Sequence, residues 1–178
     1  MKKNDYFKQF DIRFGSLALG KHQTKIEIEK AFFEKYINDD IVDAKVIVKI
    51  DIEKKENMIQ LLFDLSGNLH TTCDLCLNEL IIPVESQDVL LLKQTDIPRE
   101  SDDENIVYLK NTEYSYNVEQ IIYEYLLTLI PMRKTHQEIG DQQCDETMLD
   151  LIEKAKIKVK NEAIVDERWE KLKDINFE

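Results

Sequence analysis

Cysteine is scarce in this chain, and two of its three cysteines, Cys73 and Cys76, stand three positions apart in HTTCDLCLNEL (70–80). A C-x-x-C turn keeps its sulfurs within about 4 Å of each other, close enough to share one tetrahedral ion at a Zn–S distance of about 2.3 Å. Two ligands do not close such a site. The stretch PMRKTHQEIGDQQCDE (131–146) supplies two more, His136 and Cys144, in a polar, glycine-containing loop. Cys73, Cys76, His136 and Cys144 are thus a candidate Cys3His zinc site drawn from two distant segments, with His70 as an alternative fourth ligand. Other readings stay open: small buried thiols at a strand end, the remnant of a lost metal site, or a redox dithiol. The last lacks its usual electrostatic cause, a helix N-terminus behind the thiols, because CDLCLNELII (73–82) runs on as a strand.

The elements that must position these residues read as strands in the first half of the chain. FKQFDIRF (7–14) is aromatic and is followed by Gly15 and Gly20, which suggests a strand ending in a turn. TKIEIEKAFF (24–33) alternates through Ile26 and Ile28, and AFFEKYI (31–37) suits one short helical turn. From Val42 to Ile52 every second residue is apolar, the pattern of a sheet with one wet face. KKEN (54–57) then makes a hairpin tip, and MIQLLFDLSGNLHTTC (58–73) returns, with Ser66, Gly67 and Asn68 marking a bulge or bend. LIIPVESQDVLLLK (80–93) adds a further strand whose Pro83 points to an edge or an irregularity. Cys73 and Cys76 therefore fall in a tight connection at one end of an antiparallel meander. The acidic stretch QTDIPRESDDEN (94–105) reads as a solvated loop, with IVYL (106–109) as a short strand beyond it.

Helices follow. Asn117 is a good N-cap with Gln120 three residues on, and Val118, Ile121, Ile122, Tyr125, Leu126, Leu129 and Ile130 make a core-facing stripe that Pro131 ends. A second helix is expected over about 145–156, and a third short one after Asp166, with Trp169, Leu172 and Ile175 at helical spacing. The fold expected is α+β: a curved antiparallel sheet or partial β-barrel covered by one main helix, 117–130, with a helical C-terminal tail. Residues 1–145 form a single β-rich domain and 146–178 the tail.

Composition narrows the function. With 43% hydrophobic and 34% charged residues the chain reads as a soluble globular protein without a membrane span, placed in the cytoplasm, where thiols stay reduced. A net charge of -12 repels a phosphate backbone, so a general nucleic-acid binder is disfavoured, although KAKIKVK (154–160) concentrates positive charge locally. No phosphate-cradling loop, nucleophile elbow or H-E-x-x-H is present, and the chain reads as non-catalytic.

The strand-bounded CDLCL (73–77), the helix VEQIIYEYLLTLIPM (118–132), the ligand-type loop after it and the closing DERWEKL (166–172) together resemble the bacterial YceD family, the large ribosomal RNA subunit accumulation proteins. The likeness runs from roughly Ile26 to Ile175. Cys73, Cys76 and Leu77 fall on that family's turn, Leu129 and Pro131 on its helix end, and Asp166, Arg168, Trp169 and Leu172 on its closing motif. Glu167 stands where proline is usual, and His136 with a single Cys144 where many members carry further cysteines. The resemblance implies a non-catalytic factor for large-subunit ribosomal RNA. An acidic β-rich domain would sooner hold a basic ribosomal protein or assembly factor than naked rRNA. Lys154, Lys156, Lys158, Lys160, Arg168 and Trp169 are the candidate partner-binding residues, with Trp169 read first as an anchor docking the tail on the core. A zinc-stabilised interaction module unrelated to ribosomes and a thiol redox protein are the alternatives.

Overall fold

The computed structural model describes residues 6–36, 40–97, 100–140 and 143–157 of the 178-residue chain. Its frame is a five-stranded sheet in the order β2-β3-β4-β5-β6, built from β2 (Gly20–Glu29), β3 (Asp43–Lys54), β4 (Met58–Thr72), β5 (Glu79–Thr95) and β6 (Ile106–Lys110). A separate two-stranded ribbon pairs β1 (Asp11–Ile12) with β7 (Tyr116–Asn117). The alternation in the sequence sets which face is dry. On β3, Ala44, Val46, Val48, Ile50 and Ile52 are buried while Lys45, Ile47, Lys49 and Asp51 between them are exposed. Ladder pairing lines them up with Leu69, Leu65, Phe63 and Leu61 of β4 on the same face.

Of the two forms expected, a curved sheet or a partial barrel, the open sheet is the one formed, and its wholly antiparallel character is corrected. The sheet does not close into a barrel, since β2 and β6 end the order as unjoined edges. It is also mixed: β2 to β5 form an antiparallel meander, but Ile106 begins opposite Leu91, so β6 runs parallel to β5. Ten residues separate Thr95 from Ile106, far more than a two-residue hairpin needs, and this gives the chain the length to return four positions along β5 before pairing.

The bulge expected near Gly67 is absent, because the β3–β4 register runs unbroken from Asp43↔His70 to Lys54↔Ile59. Gly67 has another purpose. A Cβ at that position would sit 2.2 Å from the Lys45 carbonyl oxygen and 2.6 Å from Val46 Cα, so only glycine allows β3 and β4 to approach this closely. Pro83 also interrupts nothing. Gln94 N–H points toward the β4 side, to the Asn57 carbonyl, and Leu91 N–H toward the β6 side, to the Asn105 carbonyl. By the same alternation, the amide lost at Pro83 faces the stretch of β5 that β6 does not reach.

FKQFDIRF is not one strand. It folds as a 3-10 turn (Phe7–Phe10), the two residues of β1 and a second 3-10 turn (Phe14–Ser16): Phe10, Ile12 and Phe14 are buried with the alternation of a strand, but only Asp11 and Ile12 find ladder partners, in β7. Tyr6 then lies along the free edge of β2, donating to the Glu27 carbonyl and accepting from Glu29 N–H, both at 3.1 Å, which masks part of an exposed strand edge. Helix α1 (Lys30–Phe33) is the short helical turn expected there, and buries Phe32 and Phe33.

Helix α2 (Glu119–Thr128) brings Val118, Ile122 and Leu126 into the same core, and the Tyr125 ring meets Phe63 of β4 edge-on at 5.5 Å. The N-cap position falls on Val118 and not on the expected Asn117, which ends β7 while its Oδ1 accepts Glu119 N–H at 2.9 Å, and Gln120 bonds Glu124 along the helix instead of closing a capping box. The helix stops two residues short of Ile130. Ahead of Pro131 the last bonds tighten to three-residue reach, Leu129 N–H to Leu126 O and Ile130 N–H to Leu127 O. Two further helices follow, α3 (His136–Ile139) and α4 (Glu146–Ile157), the second of them matching the helix expected over 145–156. The short helix after Asp166 lies outside the described residues.

Candidate metal centre

Six residues join β4 to β5, and they are folded to aim two sulfurs inward. Cys73 N–H donates to the Asn78 carbonyl (2.8 Å), Leu77 N–H to the Cys73 carbonyl (2.9 Å) and Leu75 N–H to Cys73 Sγ (3.4 Å). Leu77 closes the turn with φ of 62°.

The other half of the site arrives after α2. Asp74 N–H donates to the Lys134 carbonyl (2.7 Å) while Lys134 N–H donates to Asp74 Oδ2 (2.6 Å), so the turn and the returning chain clasp each other. Thr135 then caps α3, its Oγ1 accepting Glu138 N–H, and Gly140 ends that helix in the left-handed region at φ of 91°. This one-turn helix points His136 inward. Past it, Asp145 caps α4 by accepting Thr147 and Met148 N–H, and its carboxyl is held below the usual carboxylate range by the Thr147 hydroxyl first, with Asn78 of the β4–β5 turn contributing. Cys144 is thereby fixed between two capped helices.

The result is that all four expected ligands meet. One ligand atom from each of Cys73, Cys76, His136 and Cys144 lies within 4.8 Å of the others, and all four residues are buried. Cys73 Sγ to Cys144 Sγ is 3.9 Å, Cys76 Sγ to His136 Nδ1 is 3.4 Å and Cys144 Sγ to His136 Nδ1 is 3.5 Å. A tetrahedron built on Zn–S of about 2.3 Å and Zn–N of about 2.0–2.1 Å has S–S edges of about 3.8 Å and S–N edges of about 3.5 Å, so the donor set fits a zinc ion. The three cysteines form no disulfide. His136 Nε2–H donates to the Glu79 carbonyl at 3.0 Å, which leaves Nδ1 with its lone pair toward the sulfurs, the outer-shell contact that orients a ligating imidazole.

The thiols are electrostatically unequal. Burial pushes Cys73 up, but the backbone N–H groups of Cys76, Leu75 and His136, together with the Cys76 thiol, outweigh it and bring Cys73 down to about 6. Burial and then the Cys73 and Cys76 sulfurs push Cys144 up to about 11. The lowered thiol owes most to amides of its own turn, Cys76 and Leu75, with the first amide of the short helix α3, His136, adding to them.

His70 stands outside the cluster, with its Nδ1 2.7 Å from Glu79 Oε1, and is not a ligand. Lys154 and Lys156 are exposed in the last turn of α4, whereas Lys158, Lys160, Arg168 and Trp169 lie outside the described residues. Sequence reasoning missed Asp74, Lys134 and Thr135, which set the loop. One signal was present: Thr135 and Glu138 have the T-x-x-E spacing of a helix start.

No helix among the described residues is long and apolar enough to cross a membrane. Neither the curated proteins nor the solved structures compared with this chain include a match. A family model does match: the one described as large ribosomal RNA subunit accumulation protein YceD aligns with residues 61–176, from near the start of β4 through every ligand of the cluster. Covering more than half of the sequence, that match places the chain in the YceD family.

Proposed function

We propose that this protein is a non-catalytic cytoplasmic factor that supports accumulation of large-subunit ribosomal RNA by holding a basic ribosomal protein or assembly factor while the subunit is built. The observation that carries the ribosomal part is the family match over residues 61–176. The choice of a protein partner over bare rRNA is supported by the net charge of -12, which attracts basic surfaces and repels phosphate. Contact with rRNA is assigned to the tail, at Lys154, Lys156, Lys158 and Lys160, with Arg168 and Trp169 as further partner contacts.

Zinc is the cofactor this reading assigns to Cys73, Cys76, Cys144 and His136, supported by the edge lengths of the cluster. When bound, the ion supplies folding energy and no reaction, since four protein ligands leave no open position. The residues themselves do the positioning: three sulfurs and one imidazole tie the β4–β5 turn to the chain beyond α2.

Depleting the protein from cells tests the function. The ratio of large-subunit to small-subunit ribosomal RNA should fall and be restored by the intact chain. An unchanged ratio in depleted cells rejects the ribosomal reading.

A further inference from the structure

Leu77 is the one non-glycine residue with positive φ among those described, at 62°, and 65% of its surface is exposed. The turn requires that backbone conformation, which brings Leu77 N–H to the Cys73 carbonyl. It does not require an isobutyl group. A bulky L-residue is disfavoured in the left-handed region, where glycine sits freely, and the exposed side chain gains little from packing in return.

Two more exposed apolar side chains stand on the segments around it. Met132 is fully exposed in the loop that Asp74 clasps through Lys134, and Val42 is 46% exposed on the segment whose N–H donates to the His70 carbonyl near the end of β4. Lys134 joins all three segments, since its Nζ lies 3.4 Å from Asp40 Oδ1 and 3.9 Å from Asp74 Oδ1. The exposed charges there are mostly negative, with Glu79 also bonded to His70. The side chains of Asp40, Asp74 and Glu79 are 74%, 42% and 67% exposed, while that of Lys134 is only 13% exposed and faces two carboxylates. Arg133 in the same loop lies 3.5 Å from Glu138.

We infer that this end of the molecule is the docking surface for a basic protein segment bearing an apolar anchor, with Leu77 as the central contact. Lysine or arginine side chains of the segment face Asp40, Asp74 and Glu79 while its apolar residue packs on Leu77 and Met132. A phosphate backbone would meet the same carboxylates as repulsion. The inference deepens the protein-partner reading above and depends on it. It adds a role for the cysteine turn, which displays Leu77 on a rigid support.

The test uses the full chain against individually purified basic ribosomal proteins of the large subunit, immobilised one at a time, at low and moderate salt. Leu77→Gly and Met132→Ser are compared with Val89→Ser, a partly exposed sheet position. At least one protein should bind the wild type in a salt-sensitive way, Leu77→Gly and Met132→Ser should each weaken it about tenfold or more, and Val89→Ser should not. Leu77→Gly relieves backbone strain, so its melting temperature should hold or rise and loss of binding cannot be loss of fold. If both variants bind like the wild type, the surface is wrongly placed while the partner reading stands. If none of the ribosomal proteins binds the wild type, the partner reading fails and the surface assignment with it.

Discussion

Asp74 and Lys134, sixty positions apart, hold each other from both directions: the Asp74 amide donates to the Lys134 carbonyl and the Asp74 carboxylate accepts the Lys134 amide at 2.6 Å. This clasp brings the segment after α2 to the cysteine turn before any ion is considered. Asp74→Ala should therefore cost about 1–3 kcal/mol, because it leaves a backbone N–H and a largely buried ammonium short of a partner. Urea unfolding measures the loss, and Asp74→Asn should recover part of it.

Metal content follows the four ligands. Protein purified without chelator should carry one zinc per chain, and Cys144→Ser or His136→Ala should abolish stoichiometric binding and lower the melting temperature. Elemental analysis with thermal melts checks both. Wild-type protein that is metal-free and gains no stability from added zinc would remove the centre.

Gly67→Ala should be among the most damaging single-methyl additions in the protein. Its Cβ would overlap the Lys45 carbonyl oxygen at 2.2 Å, and the obstacle is backbone that cannot swing away. A loss of about 3 kcal/mol or more is expected by urea unfolding, at the upper end of the range of about 1–3 kcal/mol usual for overpacking, because the clash is with backbone.

Tyr125 gives a pH test. Its hydroxyl is buried without a hydrogen-bond partner among the described residues, and burial, reinforced by the charge of Asp88, pushes its pKa up to about 12. Below pH of about 10 the phenol is neutral folded and unfolded, so no pH dependence arises there; between about 10 and about 12 only the unfolded chain loses the proton, and stability falls as pH rises. Tyr125→Phe should leave stability at pH 7 equal or up to about 1 kcal/mol higher and make the alkaline decline shallower. Tyr36, raised by burial and then by Glu119, sustains what remains of the slope. Melts from pH 7 to 11 compare the two proteins.

The Cys3His cluster was legible because its chemistry is carried by rare residue types. With three cysteines in the chain, a C-x-x-C turn narrows the partners to Cys144 and a histidine, and the structure selects His136 over His70 through the clasp and the Thr135 cap. The strands β2, β3 and β4 were legible from alternation, which burial on one face enforces residue by residue. The direction of β6 was not, because a strand of five residues carries no sign of which way it pairs. Nor was the fold of FKQFDIRF, where Phe10, Ile12 and Phe14 are buried with a strand's alternation but ladder partners reach only Asp11 and Ile12. Gly67 looked like a bulge since glycine in a strand signals either a kink or a close approach, and only the neighbouring backbone tells them apart.

The ligands of the cluster are spread unevenly along the chain, with Cys144 seventy-one positions after Cys73 and His136 sixty after Cys76. During synthesis the ribosome therefore delivers a bare thiol pair first, and the nascent polypeptide must wait for most of its remaining length to emerge before the coordination shell can complete. Under the zinc reading proposed above, loading of the ion would report that translation has passed residue 144, and a product released earlier would be left with a chelating pair too weak to lock its two halves together.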